Sequence, residues 1–141
     1  MWLIYALLSA IFAALVAIFA KVGLQKIDTN VATAIRAVVM AVFLFLVIFF
    51  QGKLTIIKSI IEDHKALTFI VLSGIAGALS WLFYFLALKD GKVSQIVPID
   101  RLSVVFAIVL AMLFLGEKVS GKGMIGIGLI VVGGIMVALY K

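Results

Sequence analysis

The sequence predicts an all-α, polytopic membrane protein with five transmembrane helices. Three observations predict it. Of the 141 residues, 67% are hydrophobic and 13% are charged, whereas a water-soluble domain has about 25% charged residues; the natural solvent of this chain is therefore lipid. The apolar residues gather into five runs, each close to the roughly 20 residues that a helix needs to cross a hydrocarbon core about 30 Å thick. The runs and their short links use nearly the whole chain, so one domain over residues 1–141, with no soluble appendage, is expected.

The first run, Trp2–Ala20, carries no charge. Its start, "MWLIYALLSA", lacks a basic leader, and no small-residue cleavage site follows, so it reads as a retained span rather than a cleaved signal. Ala6, Ala10, Ala13, Ala14 and Ala17 form a small-residue stripe, the kind that lets helix backbones approach closely in lipid. The link "LQKIDTN" follows, and Asp28, Thr29 or Asn30 can cap the next helix. The second run, Val31–Phe50, carries only Arg36. That residue lies about one and a half turns in, roughly 8 Å by helical rise. Its long side chain either snorkels back to the interface or serves an interior role. In the long link "QGKLTIIKSIIEDHK", Leu54, Ile57 and Ile61 recur at helical spacing with Lys58 and Glu62 off that stripe. This is a short interfacial amphipathic helix or a partly ordered loop.

The third run, Ala66–Leu88, is uncharged. Ser73, Gly77, Ser80 and Tyr84 share one of its faces, with Trp81 at the edge. This face either lines a substrate path or forms a packing seam with satisfied hydroxyls. Gly91 is the expected turn residue of "KDGKVS". The fourth run, Val93–Leu115, contains Asp100 and Arg101 just after Pro98, the one proline of the chain. Adjacent residues point about 100° apart on a helix, so the two charges pair poorly with each other. Either a helix begins near Pro98, with Asp100 complementing its positive end, or the helix is interrupted there and its freed groups line a pocket. After "GEKVSGKG", the fifth run, Gly123–Tyr140, places Gly123, Gly126, Gly133 and Gly134 on one packing face.

The net charge is +6. The lysines stand at helix ends, where they snorkel to headgroups, so they are read as membrane anchors and no nucleic-acid partner is expected. Five spans put Lys53, Lys58, Lys65, Lys118 and Lys122 on one side of the membrane. The other side takes Lys21, Lys26, Lys89, Lys92 and Lys141. Orientation follows the excess of Lys and Arg on the cytoplasmic side, and here the two sides balance. Copies inserted both ways up are one outcome; a single local signal near the first helix, such as Lys21 and Lys26, is the other.

Motifs of soluble chemistry are spurious here. "GKGMIG" spells a dinucleotide fingerprint but opens an apolar helix instead of following a strand. "GEKVSGKG" has Gly123 where a phosphate loop needs Ser or Thr for magnesium. There is no cysteine, and His64, the single histidine, has no second metal ligand near it. No catalytic set of side chains stands in the spans. Neither an enzyme, a cofactor nor a metal is expected.

The ordered segments "SWLFYFLAL", "VPIDRLSVVF" and "LFLGEKVS", followed by the glycine-rich last helix, resemble the second part of an EamA domain of the drug/metabolite transporter superfamily. Helix number and spacing agree over the whole chain. The resemblance implies a secondary transporter. Family members commonly join two five-helix halves of inverted topology, and this chain is one half, like the short bacterial and archaeal members. A second copy would then complete the unit. The balanced lysines point to an antiparallel homodimer, while a parallel dimer or a different half-size partner stays open. The resemblance also implies an integral protein of the cell (inner) membrane of a bacterium or archaeon, with lipid and a small-molecule substrate as its partners. Arg36, Ser73, Gly77, Ser80, Trp81, Tyr84, Pro98, Asp100 and Arg101 are the candidate pathway residues. Asp100, the one carboxylate within a span, is the candidate for proton coupling. The rivals are a non-transporting subunit that stabilises a partner, and a small multidrug-type exporter. The latter needs an acidic residue in the first helix, which Trp2–Ala20 lacks. The substrate cues conflict: Arg36 and Arg101 favour an anion, whereas Trp81, Tyr84 and Asp100 favour a cation.

Overall fold

A computed structural model of the chain describes residues 1–139. The described residues contain no strand. Their α-helices are α1 (Trp2–Gly23), α2 (Thr29–Phe50), α3 (Ile56–Glu62), α4 (His64–Asp90), α5 (Val93–Asp100), α6 (Ser103–Leu110) and α7 (Gly121–Leu139). Five helical stretches are long and apolar enough to cross a membrane: Trp2–Lys26, Thr29–Phe50, His64–Asp90, Val93–Leu115 and Gly121–Leu139. These are the five spans expected from the sequence, with ends extended by a few residues. Tyr140 and Lys141, which the sequence assigns to the last span and to one side's charge, lie outside the described residues. The chain divides into two compact units, one of Gly23–Lys89 and one of Met1–Val22 with the chain from Asp90 onward.

In the Gly23–Lys89 unit, Asp28 takes the cap of α2. Its Oδ1 accepts from the Asn30 and Val31 amides at 2.9 and 3.0 Å, satisfying two donors that the first helical turn leaves without partners. The helix ends where Gly52 turns left-handed, φ +67°. There the Lys53 amide bonds to Ile48 O and the Gly52 amide to Phe49 O, the paired closure that favours glycine at this position. The long link then forms α3, so the helical alternative holds for Ile56–Glu62 and the loop alternative does not. Lys58 and Glu62 meet on its outer side at 3.9 Å, with side chains 85% and 66% exposed; such a pair contributes little. Asp63 starts α4 by accepting from the Ala66 amide at 3.0 Å.

In the other unit, Lys21 at the end of α1 donates to the Gly91 carbonyl at 2.8 Å, tying together two links that the sequence puts on one membrane side. The fourth span is broken. Its helix starts at Val93, five residues before Pro98, so a helix beginning near Pro98 is not what forms. Pro98 sits inside α5, where it supplies no N–H to the Ser94 carbonyl. The chain passes from α5 to α6 through Arg101 and Leu102 by tight three-residue bonding: Leu102 N to Ile99 O, Val104 N to Arg101 O and Val105 N to Leu102 O, at 2.9–3.1 Å. A π turn over Ala111–Leu115 closes the span, and Gly116 leaves it left-handed.

Helix α7 packs on α5 at Gly134. A methyl group built there would stand 3.1 Å from the Pro98 carbonyl oxygen and 3.7 Å from Leu102 Cδ2. The other glycines of the expected face differ. A methyl at Gly123 would meet Val119, in the link just before α7, at 2.8 Å, and one at Gly126 or Gly133 meets nothing within 4 Å. Along the alanine stripe of α1, Ala17 is buried and Ala13 half-buried, while Ala6, Ala10 and Ala14 are exposed. Among the described residues the buried apolar side chains are Ala17, Leu24, Phe85 and Leu88. A chain of this composition with so little interior turns its apolar side chains outward, which is stable only against lipid or another apolar surface.

Candidate functional site

The site grows from the one charge of α2. Arg36 is seven residues into the helix, about 10 Å from its start by helical rise. It is half-buried, and its guanidinium carbon lies 3.5 Å from the centre of the Trp81 ring and 5.2 Å from that of Phe85. The side chain stacks on the rings of α4. The stacking is favourable because a ring face is negative, and at a half-buried site it is worth about 1–2 kcal/mol.

Helical spacing builds the rest. Trp81, Tyr84 and Phe85 follow one another at i, i+3 and i+4, the spacing that puts side chains on one face. Trp81 meets Tyr84 at 5.5 Å and Phe85 at 5.6 Å, both edge to face, a preferred aromatic geometry. On α2, Thr33, Arg36, Ala37, Met40, Ala41 and Leu44 share a stripe. On α4, Gly74, Gly77, Ala78 and Trp81 do the same. The two stripes line a cavity of about 380 Å³. It is open because the α4 stripe is small: a methyl at Gly74 or Gly77 meets nothing within 4 Å. Thr33 directs its hydroxyl to the Thr29 carbonyl, 2.7 Å away, so it is already satisfied within α2. The Arg36 N–H groups have no hydrogen-bond or ion-pair partner among the described residues. A second cavity, lined by Val42, Phe45, Leu46, Phe49 and Leu54, is wholly apolar and offers no group to a polar ligand.

Of the candidate pathway residues, the structure brings together Arg36, Gly77 and Trp81, with Tyr84 joined through its ring. Ser73 and Ser80 are exposed and do not line the cavity; the lining face is Gly74, Gly77, Ala78 and Trp81, one residue round the helix. Pro98, Asp100 and Arg101 belong to the other unit. Asp100 is the last residue of α5, so it does not complement a helix N-terminus as the first sequence alternative had it. It is half-buried and Arg101 is exposed, and neither side chain has a polar partner among the described residues. The sequence reading did not single out Thr33, Ala37, Met40, Ala41, Leu44, Gly74, Ala78 or Phe85. The periodic stripe through the single charge of α2 is the signal that finds the first five.

The family model of the EamA-like transporters matches residues 1–139. The chain belongs to the EamA-like transporter family. The chain is 39% identical over 139 residues to a Sinorhizobium protein described as an uncharacterized transporter in the cobO 3′ region, covering 99% of this chain and 97% of that one. It is 31% identical over 137 residues to an uncharacterized protein of Methanocaldococcus jannaschii, covering 97% and 96% of the two chains. No solved structure gives a significant match. An integral membrane protein of the drug/metabolite transporter type is the identity that family and spans support together.

Proposed function

We propose that the protein is half of a secondary transporter that moves a small metabolite by alternating access, as an antiparallel pair of identical chains in the cell membrane. The observation that carries this reading is the match to a transporter family along the whole described chain, with five spans. Both relatives share nearly their full length with this chain, which supports the half-size unit, a single EamA-like domain, as a working form. The balance of lysines between the two sides supports opposite orientations. The cavity beneath Trp81 supplies a place for a solute, and inverted repeats rocking about a central site supply the cycle. Asp100, within a span and without a polar partner among the described residues, is the group that would carry a coupling proton.

The test is solute flux into proteoliposomes holding the purified protein, joined to a C-terminal topology reporter in cells. Gradient-driven flux together with reporter signal on both membrane sides is expected. Absence of flux for every solute class favours a non-transporting subunit. Reporter signal on one side only overturns the antiparallel pair.

A further inference from the structure

The geometry points to a substrate class: Arg36 and the α2–α4 cavity take a small monocarboxylate with an apolar body. The inference rests on the reading of this chain as a transporter and narrows what it carries.

Sequence alone leaves the cues opposed, because Trp81 and Tyr84 suit a cation as well as Arg36 suits an anion. The structure removes the opposition. A cation would need a ring face, and the Trp81 face is already occupied by the Arg36 guanidinium at 3.5 Å. Phe85 also looks onto the same group. A second cation brought to these rings would meet a fixed positive charge. What the stacking leaves free is the edge of the guanidinium. Its N–H groups lie in the plane of the fork, parallel bonds to a carboxylate form in that plane, and none of these donors is used among the described residues.

Charge and volume set the rest. Arg36 is the one charged residue lining the cavity, and Thr33 spends its hydroxyl on Thr29. A single positive charge with apolar walls balances one negative charge. A second negative charge would stand in an apolar space without a partner, which is costly. The walls beyond Arg36, from Met40 and Ala41 to Leu44, accept a hydrocarbon body about 12 Å long at most by helical rise. A cavity of about 380 Å³ is at the small end of the range for ligand pockets, about 300–1,000 Å³, which suits a compact acid.

Trp81 is a built-in reporter. With Trp2→Phe it is the single tryptophan of the chain, and Trp2 is 78% exposed, so its replacement is benign. In that background, purified and placed in lipid nanodiscs, tryptophan emission is titrated with hexanoate, hexanamide and hexylammonium, which share one hydrocarbon body and differ in the head. Saturable change with hexanoate and none with the amide or the ammonium ion is expected. Arg36→Gln weakens the hexanoate response at least about tenfold, as loss of a charge-assisted pair does. Gly77→Leu, which fills the cavity and keeps the charge, abolishes it. Equal responses to hexylammonium and hexanoate overturn the inference. So does a hexanoate response that survives both substitutions, or a response to oleate without one to hexanoate. Because binding is read at equilibrium with no gradient, the two readings fail separately. Hexanoate binding without flux removes the transport reading and leaves the site; flux of other solutes without hexanoate binding removes the site and leaves transport.

Discussion

At Arg36 the structure adds a contact that a one-dimensional pattern does not show. An arginine in a span costs several kcal/mol unless it finds water, a partner or a protein interior. Here its partner is the face of Trp81, an interaction that no spacing rule within one helix reveals, since the two residues are 45 positions apart in the chain. Trp81→Leu keeps an apolar wall and removes the ring. It should lower the thermal stability of the detergent-purified protein by the equivalent of about 1–2 kcal/mol. Arg36→Gln should lower stability less, because it also removes the charge that needs shelter. A melt in which Arg36→Gln is the more damaging of the two would mean that the guanidinium is held by something other than the ring. Asp100 is the other residue whose role turns on its surroundings. If it carries the coupling proton, Asp100→Asn abolishes uptake driven by a proton gradient while chemical cross-linking still captures the proposed dimer; normal uptake by this variant removes Asp100 from the mechanism.

At the scale of elements, the five spans were legible because long apolar runs in lipid must satisfy their own backbone, and only a helix does that within one segment. The cap of α2 was legible to within three residues, Asp28 among them, and the short α3 as one of two alternatives, from residue types and from the 3.6-residue repeat. The interior of the fourth span was not. Pro98 announces a disturbance, but where the chain resumes depends on tertiary contact: the break falls at Arg101–Leu102, after the carbonyl of Pro98 has met Gly134 of α7. For the same reason the glycine face of α7 could be drawn from the sequence as a stripe, while the one position that a neighbouring helix crowds could not be picked out of it. That position carries a prediction. Gly134→Leu has to displace the α5 backbone, and overpacking of this kind costs about 1–3 kcal/mol. Gly128→Leu, where an added methyl meets nothing within 4 Å, should leave the melting temperature nearly unchanged. Equal losses for the two would mean that α5 and α7 do not pack at Gly134. In the candidate site, likewise, the sequence supplied Arg36, Gly77 and Trp81 but rotated the α4 face by one residue. Hydroxyls at Ser73 and Ser80 drew the face toward polar side chains, whereas the cavity is made by what Gly74 and Ala78 lack.

At the scale of the whole molecule, the deciding quantity is the balance of basic residues across the membrane. Orientation follows small differences in lysine and arginine count near span ends; if copies insert both ways up, as proposed, a modest change should tip them. Gln25→Lys with Asn30→Lys adds two charges to the side that already holds Lys21 and Lys26. Gln51→Lys with Thr55→Lys adds two to the side of Lys53 and Lys58. All four positions are exposed, and Asp28 keeps its cap in both variants. Each pair gives its side an excess of two, so each variant should insert in one orientation, the two variants in opposite ones, as read by a C-terminal reporter. If an active transporter needs both orientations, either variant expressed alone loses most of its flux, and expressing the two together restores it. Full flux from a single-orientation variant would mean that the chain pairs in parallel or acts alone. Loss from both variants with no restoration would mean that the added lysines damage the protomer itself. The restoration arm is therefore what ties the lysine count to function: no property of one folded copy predicts that two inactive variants recover activity by meeting.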